Sequence, residues 1–409
     1  MSDKRDLLIL GGGLVGMTLA LAAAKKGMAS HVVDRADPAE LLDEGFDGRA
    51  SAVSTASWNL FRNIGLADAL GPHGCRIASI AVTDAMRPGR IDFTPEELEG
   101  TPNGDTLGRM FANRQVRLAL FEAAKDEALI TWHSKAEVMG RQRGSHGVSA
   151  TLADGTVLEA RLMVAAEGRG SPTREDAGIA LAKWDYSHRA IIQGLVHEEP
   201  HEGVAWEIFY PAGPFALLPL LDDGAGRHRS ALVWTVDEAD AEGVLKLGPR
   251  AFVAEVEKRM HGLYGMIELD GGRSSYPLGF HHTARIVEDR LALVGDAAHG
   301  IHPIAGQGLN LGLRDVGALV EVLADGRRIG LEPGDAQGLA RYETWRGLDA
   351  FMVALATDGL TRLFGIPGKA PSAIRRLGMA GVQRAPMLKR WFMDEARGMS
   401  GDLPELLKG

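Results

Sequence analysis

Gly11, Gly13 and Gly16 stand in the stretch LLILGGGLVGMTLALAAAKKG, which carries no charge until Lys25. This G-x-G-x-x-G spacing suits phosphate: without Cβ atoms, Gly11 and Gly13 let backbone N–H groups approach a pyrophosphate at the positive end of a following helix. Eighteen residues past Gly16, the run SHVVDR ends in Asp34 and Arg35, and an acid at about that distance binds a ribose hydroxyl pair. A second cluster, GDAAHGIHPIAGQGLNLG, places Asp296 ahead of Pro303, Gly306 and Gly308. A carboxylate at a strand end followed by a helix N-terminus suits a polyol chain next to a ring that carries negative charge.

Such groups act only if regular elements hold them. Residues 7–10 read as a buried parallel strand, and residues 17–26, rich in alanine and leucine, as a crossover helix ended by Gly27. A secretory signal or membrane anchor is the competing reading. It fails on the glycine triplet, because each glycine in a spanning helix costs about 1 kcal/mol against alanine. Residues 162–166 read as another strand, followed by Glu167-Gly168 and a turn from Ser171 to Arg174. Residues 291–294 make a third, and a long apolar helix starts near Gly308. Three strand-turn-helix units so far apart imply one dinucleotide domain assembled from distant segments, with other material inserted between them.

The chain has 409 residues, of which 45% are hydrophobic and 24% charged, so it is long enough for two or three globular domains. A net charge of −9 argues against nucleic acid as a partner, since phosphate binding needs a basic surface. The lone cysteine, Cys75, excludes an internal disulfide and points to a reducing, cytoplasmic setting, with the thiol packed as a small hydrophobe. HEEPH, residues 197–201, spells a zinc-protease motif, but Pro200 breaks the helix that would bring both histidines to one metal. The pairs His281/His282 and His299/His302 lack companion ligands, so no metal site is expected. The tail differs from the rest: Lys369, Arg375, Arg376, Arg384, Lys389, Arg390 and Arg397 are interleaved with Leu377, Met379, Trp391, Phe392 and Met393.

The first glycine motif, the turn after Glu167 and GDAAH together resemble the flavin monooxygenases related to p-hydroxybenzoate hydroxylase. Within them, HPIAGQGLNLGLRD is similar to the signature of the ubiquinone-biosynthesis hydroxylases of 2-polyprenylphenol type. Further similar phrases are DGRASAVS, NRQVRLALFEAA, GPFALLPL and APMLKRWFMDEARGMSGDLPELL, so the likeness spans the chain. It implies that Gly11, Gly13 and Gly16, with Leu14 between them, meet the pyrophosphate of FAD, and that Asp34, with Arg35 beside it, takes the adenosine ribose. Arg49 and Arg117 would reach the phosphate and ribityl region, and Asp296 the ribityl chain. Pro303, Gly306, Gln307, Gly308, Leu309 and Asn310 would meet the isoalloxazine. Two departures stand out: Glu167-Gly168 replaces the usual Asp-Gly, and Asp34 replaces a longer Glu.

The expected fold is α/β, with a Rossmann-like FAD-binding domain (1–70, 109–180 and 285–330), an inserted β-sheet substrate domain (71–108 and 181–284) and a helical tail (331–409). The expected activity is hydroxylation of a prenylated phenol of ubiquinone biosynthesis, with the chemistry on the flavin rather than on a side-chain nucleophile. Oxygen and a reduced nicotinamide, NAD(P)H, are the implied co-reactants. No second G-x-G-x-x-G follows a strand, which suits a donor that visits transiently. A flavin-dependent reductase of prenyl double bonds, or a hydroxylase of another aromatic substrate, shares these motifs. A prenylated substrate resides in the bilayer, so the tail is expected either to lie on the inner membrane face or to dock a second copy or another quinone-biosynthesis protein.

Overall fold

The protein is described by a computed structural model covering residues 4–43, 49–85, 89–97, 106–300, 306–365 and 369–409. Near-continuous apolar runs form the strands Arg5–Leu10, Ser30–Val33 and Val157–Ala165, as expected of parallel strands covered on both faces. With Leu291–Leu293 and Ile130–His133 they make a parallel core in the order 291–293, 157–165, 5–10, 30–33, 130–133. The helix Leu14–Lys25 crosses over between the first two strands in sequence, buried from Gly16 to Ala24. Gly16 has no freedom to vary, because a Cβ there would lie 1.9 Å from the Gly11 carbonyl oxygen. Gly27, at φ +72°, turns the chain out of the helix.

A second sheet of eight strands is largely antiparallel and holds residues from 79–93 and 181–283. One face packs Ile191, Trp206, Ile208, Phe215 and Trp234 against Phe252, Val256 and Met260 of the helix Pro249–Met260. The other face lines a cavity whose far side includes residues 50–54 and 306–310. Three short pairings join segments that are distant in the chain. His299–Gly300, from the 285–330 segment, adds to the edge strand Ile267–Thr283, while Cys75–Ile77 and Ala50–Ser54 flank Gly108–Ala112 in a three-stranded sheet. Cys75 is buried, and that burial pushes its thiol up to about 11, so it packs rather than reacts.

The tail is helical through Ala336–Gly365, Lys369–Arg384 and Pro386–Ala396. Its anchorage runs through Asp315, a fully buried residue of the helix Gln307–Arg328. One Asp315 oxygen accepts the Arg346 Nε–H at 2.8 Å; the other accepts the Gly295 N–H at 2.9 Å and lies 2.7 Å from His299 Nε2. Burial by itself would raise this carboxyl, but His299 and Arg346 outweigh it and hold the pKa below the usual carboxylate range. A lowered pKa means that the stabilisation is present above the unfolded-state value of about 3.9 and is lost as pH falls through the lower folded-state value. Asp315→Asn removes one of the two carboxylates that pair with the buried Arg346 guanidinium, Asp349 being the other, so it is expected to lower unfolding free energy in urea by about 1–3 kcal/mol. An unchanged midpoint would show that Asp315 does not hold the tail to the sheet.

Candidate active site

At the first glycine loop, Gly13 is the N-cap of Leu14–Lys25 with no side-chain cap, and no acidic residue occupies the first turn. A Cβ at Gly13 would meet nothing within 4 Å, so the positive helix end opens onto free space. Asp34 stands beside this loop, its two oxygens accepting the Gly12 N–H at 2.6 Å and the Ala36 N–H at 2.7 Å. Leu14 is partly buried and Arg35 exposed. Arg117 is buried on the helix Asn113–Lys125 and donates to the Leu41 carbonyl at 3.3 Å.

The loop carrying Asp296 is braced from three sides. Gly295, at φ +60°, donates to Asp315; His281 Nε2 lies 2.8 Å from the Asp296 carbonyl, so that nitrogen donates; Arg174 donates to the Ala297 carbonyl at 3.2 Å. Burial lowers the His281 pKa, against the opposing pull of its hydrogen bond to Asp296. A Cβ on Gly295 would reach Val15 at 3.2 Å, and one on Gly312 would reach Val15 at 2.9 Å, so two helix N-termini converge on this loop. The Asp296 carboxylate is left partly open, 3.5 Å from Arg169 Nε.

Gly306, at φ +64°, starts the helix Gln307–Arg328 without a side-chain cap. Gln307, Gly308 and Leu309 line a cavity of about 910 Å³ together with Arg49, Arg169 and Asp296. Asn310 borders it too, but its amide is engaged within the chain: it accepts the Ser54 N–H at 3.0 Å and donates to the carbonyls of Ala52 and Gly306 at 2.9 and 3.3 Å. It holds the helix start against the strand Ala50–Ser54. Pro303, expected beside the flavin, lies outside the described residues. Glu167, the departure from the usual Asp, receives Arg141 at 3.2 Å on one oxygen, and Ser171 Oγ at 2.6 Å and the Thr173 N–H at 3.2 Å on the other. Its carboxylate organises the turn into the short helix Pro172–Asp176.

The opposite wall of the cavity is the second sheet, through Ala205, Glu207, Phe209, Ala216, Val233 and Thr235, and Met379, Val382 and Phe392 of the tail border it as well. Glu207 and Thr235 were not singled out by sequence; the signal for Glu207 is one charge in the strand VAWEIFY. The tail requires a correction. Lys389, expected either at a lipid surface or against a docking partner, is buried and pairs with Glu97 at 2.6 Å, and Arg375 is buried 3.3 Å from Asp84. These cations face carboxylates of the inserted segment rather than solvent. The exposed side chains of Pro386–Ala396 include Met387, Leu388 and Trp391.

Uncapped helix ends for phosphates, Asp34 and Asp296 for hydroxyls, and an adjoining cavity with a largely apolar far wall fit FAD. Residues 4–350 match the model of the FAD binding domain family. The chain is 42% identical to the ubiquinone hydroxylase UbiL of Rhodospirillum rubrum, over 100% of this chain and 94% of that protein. It is 33% identical to the 3-demethoxyubiquinol 3-hydroxylase of Escherichia coli, over 97% and 100%. Among solved structures, p-nitrophenol 4-monooxygenase from Pseudomonas putida shares the fold, with a TM-score of 0.78 at 18% identity over 98% of this chain and 99% of that one. Asp296→Ala is expected to weaken FAD retention by on the order of tenfold, the loss of one or two hydrogen bonds, measured by flavin fluorescence on dialysis. Flavin affinity equal to the parent's would remove Asp296 from the binding set.

Proposed function

This chain belongs to the FAD-dependent hydroxylases of ubiquinone biosynthesis, and from that premise we propose that it adds a hydroxyl to the ring of a prenylated phenol precursor, using dioxygen and NAD(P)H. The observation that carries this reading is the cavity, which joins the Asp296 loop and the start of Gln307–Arg328 to apolar side chains of the sheet and tail. A ring fits beside the flavin loops, and Met379, Val382 and Phe392 provide apolar surface for a prenyl chain.

When bound, FAD supplies the two-electron chemistry by which dioxygen becomes a donor of one oxygen atom to an electron-rich ring. The chain's own part is to bind, orient and keep water away. Gly11, Gly13 and Gly16 with Leu14 and the helix end behind them are proposed to take the pyrophosphate, and Asp34 and Arg35 the adenosine end. Arg49, Arg117 and Asp296 are proposed for the phosphate and ribityl region, and Gly306, Gln307, Gly308 and Leu309 for the ring system, with Asn310 holding that helix in place. Oxygen-18 gas is expected to label the new ring hydroxyl, and labelled water is not. Label from water alone would end the monooxygenase reading.

The substrate's lipid character requires a meeting with the bilayer, and no helix among the described residues is long and apolar enough to cross one. We propose that Met387, Leu388 and Trp391 touch the inner membrane face from the cytoplasmic side, next to the helices that border the cavity. Met387→Glu with Trp391→Glu is expected to weaken sedimentation with anionic liposomes while FAD content stays intact. Unaltered sedimentation would assign this face to a second copy or another quinone-biosynthesis protein.

A further inference from the structure

Asp296 and Glu207 are the carboxylates that line the cavity among the described residues. Asp296 has Arg169 beside it; among the described residues no hydrogen bond or ion pair engages Glu207, whose charged form is opposed only by burial. The sheet register surrounds it with apolar side chains. Val82 lies opposite on one neighbouring strand and Ala216 on the other, with Val233 and Ile192 further along the same row. Ala205 and Phe209 flank it along its own strand, and all six of these residues line the cavity. A carboxyl in such a setting destabilises the fold unless it is protonated or a ligand engages it. The Thr235 hydroxyl, buried on the same wall, also has no partner among the described residues.

Resting on the hydroxylase reading above, we infer that Glu207 receives the ring hydroxyl of the substrate, holding the ring by that oxygen and accepting its proton during hydroxylation. The hydroxyl O–H bond breaks and a Glu207 O–H bond forms, which leaves the ring oxygen anionic and the ring richer in electrons toward the incoming oxygen atom. Once the ring carbon has gained oxygen and shed its hydrogen as a proton, Glu207 returns its own proton to the ring oxygen. It ends as it began. Phenol, dioxygen, NAD(P)H and one proton become hydroxylated phenol, NAD(P)+ and water.

Burial pushes the Glu207 carboxyl up to about 8, between an ordinary carboxylate and a phenol of about 10, which suits exchange of a proton near neutral pH. Other charged or titratable groups bordering the cavity are Arg375 of Lys369–Arg384, which holds Asp84, Tyr276 of Ile267–Thr283, and Arg49, Arg169 and Asp296 on the flavin side. Asp84 stands on Ser79–Asp84, the strand beside Glu207.

The test compares the parent holoenzyme with Glu207→Gln and Glu207→Leu, using a short-chain prenylphenol. Glu207→Gln is expected to keep its FAD, lose on the order of 10²–10⁴-fold in kcat and lose the rise in rate through about pH 8. Difference infrared spectroscopy of the parent should show a protonated carboxyl that titrates near 8, is absent from Glu207→Gln and shifts when the phenol is added. Glu207→Leu should raise the melting temperature while activity falls, because it removes an unpartnered buried carboxyl. A Glu207→Gln enzyme with the parent's kcat and pH profile would overturn the inference. So would a Glu207→Leu enzyme that loses stability and activity together. If the parent hydroxylates no prenylphenol, the hydroxylase reading fails, and the infrared response to added phenol still decides whether Glu207 receives a ring hydroxyl.

Discussion

A carboxylate shut away from water, Asp315, connects the end of the strand Leu291–Leu293 to the helices on either side of it. Its bond to the Gly295 N–H fixes the backbone that presents Asp296, while its contacts with His299 and Arg346 lock the edge of the second sheet and the first tail helix to the same point. Burying such a group costs more than a hydrogen bond returns, so both oxygens need partners at once. That requirement couples the Asp296 loop, the second sheet and the tail. His281 and Arg174 add to the rigidity by binding the next two carbonyls, so Asp296 projects from a backbone with little freedom to move.

The second sheet serves different needs on its two faces. One is filled by Trp206, Phe215 and Trp234 against Pro249–Met260 and behaves as an ordinary core. The other supplies small and apolar residues around Glu207 and leaves room for a ligand. Strand alternation makes this possible: Trp206 and Ile208 go to the core while Ala205, Glu207 and Phe209 go to the cavity. The tail borders the cavity with Met379, Val382 and Phe392, and its ion pairs to Asp84 and Glu97 hold it against the inserted segment.

The parallel strands and the crossover helix were legible because glycine spacing and apolar runs are local signals. Arg5–Leu10, Leu14–Lys25 and Leu291–Leu293 lie where those signals put them, within a few residues. The fate of the tail's cations was not legible. Lys389 beside Trp391 has the same composition whether it faces lipid or a carboxylate 292 positions earlier in the chain, and only tertiary packing supplies Glu97. Asn310 is similar, since its partners Ser54 and Ala52 are more than 250 residues away. Glu207 shows the limit of alternation: the strand pattern tells that it faces away from Trp206 and Ile208, but not that Val82 and Ala216 leave it alone on a cavity wall.

Mass analysis of the quinone precursor that accumulates in cells lacking this chain bears most directly on its role. The expected species keeps its complete prenyl tail and lacks one ring hydroxyl, and its level returns to normal when the chain is restored. A fully oxygenated ring carrying an over-unsaturated tail, or a quinone pool that does not change, would contradict ring hydroxylation as its task.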